Sequence, residues 1–175
     1  EYVTLVMSYP FSGIATRGPL KWPDGNKVAL ILTLNLEHWD MTKDTDEAYY
    51  AGGPPILPDV LPGRIPDFPN FTWREYGQRV GIWRLFDVFR KAGVAPGCTV
   101  NAKTLLERPE IAQVPKDEGW EVVAHNYEQG ELLTGLGGDL AKEREIVEAT
   151  LREYKKFYGK PAKGWLSSSL RGTPN

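Results

Sequence analysis

Histidine, glutamate and arginine residues lie directly after apolar stretches of this chain. Glu37 follows the nearly continuous apolar run of residues 28–36, His125 follows a run that ends at Ala124, and Arg171 lies after a later one. A carboxylate, an imidazole and a guanidinium on one rim could support hydrolysis or proton transfer at a polar carbon. Taken singly, each has an ordinary alternative, namely a solvated carboxylate, a half-buried histidine and a surface charge.

The elements that must position these side chains alternate between strand and helix patterns. We predict strands over residues 28–36, 98–102, 121–124 and 163–167, and helices over 73–92, 103–107, 109–118 and 139–158. An unbroken apolar run such as 28–36 is typical of a strand covered on both faces, as in a parallel sheet or barrel. The order therefore predicts the α/β class, with the carboxyl ends of the strands converging on one rim.

Proline and glycine divide the rest of the chain. Residues 1–27 are predicted to form an extended arm that wraps the body, and residues 40–71 a long loop. Loops of this length inside a domain are usually functional, and this one has aromatic side chains that could line a cleft, namely Tyr49, Tyr50, Phe68 and Phe71. Without an internal repeat or linker, residues 1–175 are interpreted as one domain.

Composition excludes several classes of protein. The 175 residues are 41% hydrophobic and 25% charged, which suits one globular domain. A net charge of −2 with interspersed signs argues against nucleic acid or an anionic membrane as partner. No leader pattern or membrane-spanning apolar stretch is visible, so a cytoplasmic protein is expected. The single cysteine, Cys98, fits a reducing compartment and is predicted to be a small core residue rather than a nucleophile.

Residues 22–29, 34–37, 76–85, 118–127 and 164–165 carry a pattern whose most specific parts are 76–85 and His125-Asn126-Tyr127. In this order and spacing they resemble the NodB-like polysaccharide deacetylase superfamily, and within it the branch with allantoinases and cyclic-imide hydrolases. The resemblance implies the first half of an irregular (β/α)7 barrel. Residues 1–175 would then be a single partial polysaccharide deacetylase-like domain, with residues 28–175 forming its first four strand–helix units.

The resemblance also shows where the chain departs from metal-dependent members, which use two aspartates on the first strand and two histidines on the third. Asn35 stands where the aspartate base would be, Glu37 occupies the ligand position, and Gln129 replaces the second histidine. Amides bind zinc far more weakly than imidazole does. The resemblance therefore implies either no cofactor or a weakly bound divalent metal, such as zinc, on Glu37 and His125.

The allantoinase-like branch shares the asparagine, the glutamate and the single histidine. This implies a hydrolase of non-peptide C–N bonds that opens a cyclic amide, imide or ureide such as allantoin, a small-molecule amide substrate. Glu37 and His125 would be catalytic. The substrate-binding residues would be Asn35, Gln129, Trp165 and Arg171, the last holding a carbonyl or carboxylate. Two alternatives remain open: a non-catalytic subunit or fragment of a polysaccharide deacetylase-like protein, and a metal-dependent N-deacetylase.

Four predicted strands do not close a barrel, which takes about eight strands in small examples. An unclosed sheet exposes backbone groups and apolar side chains along its edge. Members of the superfamily continue into further strands that carry a general-acid histidine. We therefore expect a second polypeptide to complete the barrel, in a hetero- or homo-oligomer.

Overall fold

A computed structural model describes residues 10–40 and 68–174, and these contain a parallel sheet covered by helices. The strands are β1 (Thr33–Leu36), β2 (Gly97–Val100) and β3 (Val122–Ala124), in the order β1-β2-β3. The α-helices are α1 (Phe68–Tyr76), α2 (Ile82–Ala92), α3 (Ala102–Glu107), α4 (Pro109–Asp117) and α5 (Leu140–Tyr158). Short 3₁₀ turns lie at Ile14–Thr16, Pro23–Gly25, Leu133–Leu136 and Ser168–Leu170. The predicted α/β class with a parallel sheet is confirmed.

The first strand is shorter than the predicted run of residues 28–36. Its pairing with β2 begins at Thr33, which lies opposite Gly97. Val28, Leu30 and Ile31 are 78, 79 and 85% exposed. Hydrophobicity marks residues that could pair and pack, but the strand extends only as far as its neighbour does. Residues 28–31 belong to a separate compact unit, whose described amino-terminal part is residues 10–31, whereas Leu32 belongs to the same unit as β1.

The fourth predicted strand, residues 163–167, is reduced to a single parallel bridge between Trp165 and Ala124. The Ala124 N–H donates to the Gly164 carbonyl at 3.2 Å, and the Leu166 N–H donates to the Ala124 carbonyl at 2.9 Å. The segment therefore runs beside β3 as predicted but does not form a ladder. The described residues have three strands and one bridge instead of four strands.

The predicted helix over 73–92 starts earlier and is composite. Helix α1 is described from Phe68, and Pro69 is compatible with a first helical turn, where no backbone donor is needed. The segment Gly77–Gly81 is π-helical and joins α1 to α2. Helix α2 ends at Gly93, whose φ of 65° is left-handed. Phe68 and Phe71 thus open a helix rather than line a loop.

The long helix over 139–158 is confirmed by α5. Asp139 caps it by accepting hydrogen bonds from the N–H groups of Ala141 and Lys142, both at 3.1 Å. The left-handed Gly159 ends it. The predicted pieces at 103–107 and 109–118 are confirmed by α3 and α4, and Pro115 is accommodated inside α4.

The core lies between one face of the sheet and the helices. It includes apolar residues from all three strands and from α2, α3, α4 and α5, among them Leu36, Phe86, Val100, Ile111, Ala124 and Tyr154. Cys98 is 1% exposed in this core, as predicted, and burial raises the pKa of its thiol to about 12. The thiol is therefore protonated at neutral pH and unsuited to nucleophilic attack.

Residues 41–67 lie outside the described residues, so the long loop and its Tyr49 and Tyr50 stay predictions. In the described part of the amino-terminal arm, residues 10–27, the helical elements are two three-residue turns. Among the described helices, none has the length and apolarity that crossing a bilayer requires.

Candidate functional site

The strongest candidate pair for chemistry is formed by the residues that follow β1 and β3. Glu37 Oε1 lies 3.5 Å from His125 Nε2. The side chain of His125 is 4% exposed and that of Glu37 is 22% exposed, so the imidazole is buried and the carboxylate partly reaches solvent. The pair adjoins the carboxyl ends of parallel strands, the usual location of α/β sites.

The orientation of the His125 ring is fixed on its other side. Nδ1 lies 2.6 Å from the backbone carbonyl of Leu166, in the segment that bridges to β3. A carbonyl can only accept, so Nδ1 carries a hydrogen and Nε2 is left to exchange a proton on the side of Glu37. The segment that failed to form a full strand therefore still determines how His125 is presented.

Asn101, directly after β2, connects the two strand ends that carry this pair. Its Oδ1 accepts from the backbone N–H of His38 at 2.8 Å, and its Nδ2 donates to the backbone carbonyl of His125. His38 itself is buried, and its Nε2 lies 2.8 Å from Glu107 Oε2. The second histidine of the chain is thus engaged by α3 and is separate from the Glu37 pair.

Lys103 links the segments that follow β1 and β3. Its Nζ lies 3.1 Å from carboxylate oxygens of both Asp40 and Glu128. Burial alone would lower the pKa of Lys103, but its hydrogen bonds and charge interactions with the two carboxylates outweigh burial and raise the pKa. Because Glu128 is 4% exposed, the ammonium group is the cation that makes its burial tolerable.

The four predicted substrate-binding residues have different surroundings. Asn35 is exposed, lies two residues before Glu37, and accepts a hydrogen bond from the Thr99 hydroxyl at 3.0 Å. Gln129 is 3% exposed, and its Oε1 accepts from the Ser168 hydroxyl at 3.0 Å. Asn35 thus lies near Glu37 along β1, whereas the Gln129 carbonyl is already used within the protein. Their roles toward a substrate stay predictions.

Trp165 and Arg171 come from the fourth segment. The Trp165 indole N–H donates to the Ser167 hydroxyl at 3.1 Å, and Arg171 is exposed. The Ser168 hydroxyl lies 3.4 Å from the Glu128 carbonyl, so the segment just before Arg171 adjoins the end of β3. Among the described residues, Arg171 forms no hydrogen bond or ion pair with Glu37 or His125, and its assignment to a substrate carbonyl stays a prediction.

A groove of about 380 Å³ runs along β1 and next to this pair. Glu37 and Asn35 line one wall, and the π-helical turn and α2 form the other. The Gln78 amide donates to the backbone carbonyl of Glu37, and the Arg74 guanidinium lies 3.8 Å above the Trp39 ring. The π-helical turn therefore fixes the backbone at Glu37 from the side opposite to β2.

The candidate site offers few groups that could bind a metal ion. Zinc in proteins takes four ligands, or three plus water in a catalytic site. Glu37 and His125 could supply two metal ligands. Gln129 occupies the position of the third ligand, but its side-chain carbonyl already accepts a hydrogen bond from the Ser168 hydroxyl. Over residues 10–40 and 68–174 no cluster of three or more His, Cys, Asp or Glu side chains forms a ligand set. The described residues do not fit a complete zinc site.

The sequence analysis does not single out Asn101 or Lys103. The available signal was position, since Asn101 directly follows β2 and Lys103 lies two residues further on, in the first turn of α3. Gln78 was also missed, because nothing in a helical pattern indicates which side chain reaches another segment's carbonyl.

A parallel sheet with polar groups at its strand ends and helices packed against it occurs in open α/β folds and in (β/α) barrels. No family model matches the chain. A Schizosaccharomyces pombe protein named "Putative polysaccharide deacetylase" is 27% identical over 116 residues, covering 61% of this chain and 34% of that protein.

Two solved structures are similar to the chain. Puue allantoinase gives a TM-score of 0.71 at 21% identity, covering 91% of this chain and 53% of that one. A Mycobacterium smegmatis protein described as "putative polysaccharide deacetylase" gives 0.58 at 21% identity, covering 87% and 47%. The chain thus spans about a third of the curated relative and about half of the solved chains.

These comparisons confirm the resemblance over part of the domain. The chain shares the fold of these two solved structures over about half of their length, in agreement with the predicted first half of a (β/α) barrel.

Proposed function

We propose that this chain supplies half of the active site of a hydrolase that opens a cyclic amide, imide or ureide such as allantoin. The observation that carries the proposal is the Glu37–His125 pair, in which His125 Nδ1 is committed to the Leu166 carbonyl. Nε2 and the Glu37 carboxylate can then share one water molecule. The similarity in fold to an allantoinase supports the reaction class.

In this mechanism the pair removes a proton from water while the resulting hydroxide attacks the ring carbonyl. The C–N bond of the tetrahedral intermediate then breaks, and the leaving nitrogen takes a proton from a general acid. Asn35, Gln129, Trp165 and Arg171 are proposed to bind the ring, with Arg171 directed to a carbonyl or carboxylate of the substrate. The general acid is proposed to come from a part of the barrel outside residues 1–175.

The remainder of the barrel is proposed to be a second polypeptide that pairs along β1. In the described residues β1 is an edge strand, and the groove beside it is lined by apolar side chains such as Leu34, Leu36 and Ile82. An open edge with an apolar groove favours strand addition. The coverage of about half of each solved chain supports only the coarser statement that the rest of such a barrel lies outside residues 1–175.

The first prediction is that Glu37→Gln and His125→Asn each lower kcat/KM for allantoin, hydantoin or succinimide by about 10²–10⁴, the usual effect of losing a general base. The assay uses the protein together with the polypeptide that completes it. Glu148→Gln, on the exposed face of α5, is the matched control for the carboxylate change and is expected to retain activity.

Three results of this assay would contradict the proposal. The first is full activity in both variants, and the second is the absence of activity on every cyclic amide in the unmodified assembly. The third is hydrolysis of N-acetylated sugars alone, which would favour the N-deacetylase alternative that the relative's name suggests.

A further inference from the structure

The side chain of Asn101 bridges the two strand ends that carry Glu37 and His125. Asn101 is 0% exposed. Its Oδ1 accepts from the N–H of His38, the residue after Glu37, and its Nδ2 donates to the carbonyl of His125 itself. One planar amide therefore joins the backbones on either side of the candidate pair.

Backbone hydrogen bonds of the sheet hold His125, whose N–H donates to the Val100 carbonyl at 2.9 Å, but on β1 they end at Leu36, whose carbonyl accepts from the Asn101 N–H at 3.3 Å. The last paired residues are Leu36 opposite Val100 and Val100 opposite Ala124, so Glu37 and His125 each lie one residue beyond the ladder. Among the described residues, the position of Glu37 relative to His125 therefore depends on side-chain contacts with the segment that follows β1. A side chain reaching both strand ends from the strand between them can set that position.

We propose that Asn101 is a positioning residue that sets the separation of Glu37 and His125. An asparagine amide offers one acceptor and one donor in a fixed plane, which matches a backbone N–H on one side and a carbonyl on the other. An aspartate of the same shape keeps the acceptor and has no donor for His125. Alanine keeps neither.

The inference rests on the proposed function in one respect, which is that the positioned pair is the catalytic pair. The positioning itself is independent of any activity. Removing Asn101 leaves a buried N–H and a buried carbonyl without this partner, which lowers stability. Lost stability alone is expected from any buried hydrogen bond, so the test needs a readout at His125.

The readout is the ¹⁵N signal of His125 Nε2, which responds to the Glu37 carboxylate at 3.5 Å. Glu37→Gln is expected to shift this signal in the unmodified background. In an Asn101→Ala or Asn101→Asp background, the same substitution is expected to shift it by less than half as much, because Glu37 and His125 are no longer held together. An equal shift in all backgrounds would overturn the proposal.

Tyr154→Phe is the matched control. The Tyr154 hydroxyl also donates to a carbonyl of β3, that of Val122 at 2.8 Å, so this variant removes a buried donor from the same strand at its other end. Tyr154→Phe is expected to lower stability. In this background Glu37→Gln should still shift the His125 Nε2 signal as much as in the unmodified protein. A reduced shift here would show that any weakening of β3 suffices, and would also overturn the proposal.

Two further measurements separate the possible failures. If neither Asn101 variant folds, a through-hydrogen-bond scalar coupling between the His38 amide nitrogen and the Asn101 side-chain carbonyl carbon is measured in the unmodified protein, and its absence overturns the proposal. Activity is measured last. A reduced His125 shift with unchanged kcat would contradict the proposed function and leave the positioning role intact.

Discussion

At the scale of single residues, burial determines which side chains can react. Cys98 lies in the core on β2, and its pKa is raised from 9.0 to about 12 because burial disfavours the thiolate. In the unfolded chain the thiol ionises from about pH 9, whereas in the folded chain it stays protonated. The unfolded state then binds fewer protons, so stability falls as the pH rises.

We therefore predict that the free energy of unfolding decreases by about 1 kcal/mol between pH 8 and 10 through Cys98 alone. Urea unfolding of the unmodified protein and of Cys98→Ala, at several pH values, measures this. The alanine variant loses packing at every pH, but the difference between the two proteins should narrow toward pH 10. A constant difference would show that the thiol ionises as easily in the folded state.

The residues of the candidate site were predictable to the extent that they follow strands. Glu37 and His125 were named from their positions after apolar runs, and the structure brings them to 3.5 Å. The contacts that orient them were not predictable. The Leu166 carbonyl and the Asn101 amide reach His125 only because the assembled sheet brings distant parts of the sequence together. Sequence patterns identify reactive groups more readily than the neutral groups that hold them.

At the scale of elements, the helix boundaries follow from glycine conformation. Gly93 ends α2 with a φ of 65°, and a Cβ there would meet no atom within 4 Å, so only backbone strain opposes a larger residue. Gly77, at the start of the π-helical turn, also has open space but no positive φ. The two glycines therefore allow conformation to be separated from packing.

We predict that Gly93→Ala lowers the free energy of unfolding by about 1 kcal/mol, because the left-handed conformation penalises a Cβ. Gly77→Ala is the control, and it should leave stability unchanged or raise it by up to about 1 kcal/mol through a less flexible unfolded chain. Thermal or urea unfolding measures both. If Gly77→Ala lost as much stability as Gly93→Ala, the left-handed conformation of Gly93 would not explain the difference between the two sites. The result would instead show that the π-helical turn is sensitive to substitution.

The helices and the order of elements were predictable because amphipathic spacing and glycine stops are local properties. Strand lengths were not predictable. Residues 28–32 and 163–167 were predicted as strand, but neither segment forms a strand in the structure. Both segments have the composition of strands, yet a strand exists only where a neighbour pairs with it. Pairing is a property of the assembled sheet, so the sequence of one segment alone does not specify it.

At the scale of the whole molecule, the open side of β1 determines what the chain can do. The Leu32 and Leu36 carbonyls accept from the N–H groups of Gly97 and Asn101 on β2. Because parallel strands direct alternate residues to each neighbour, Thr33 and Asn35 direct their backbone N–H and carbonyl groups away from β2. In the described part of the chain, no strand pairs with that side.

The last prediction is that a further strand, on a second polypeptide, pairs with this side of β1 and that hydrolysis requires it. Thr33→Pro removes the outward N–H without touching the β1–β2 ladder, so it should weaken assembly at least about tenfold, the effect of losing roughly 1.4 kcal/mol at the contact. Thr33→Val is the matched control, since it changes the same side chain and keeps the backbone donor. Light scattering against the 19.7 kDa mass of the chain, combined with the cyclic-amide assay, measures both. A stable monomer that hydrolyses a cyclic amide unaided, or a proline variant that assembles as well as the valine variant, would refute the prediction, because either result means that the β1 edge is not where the site is completed.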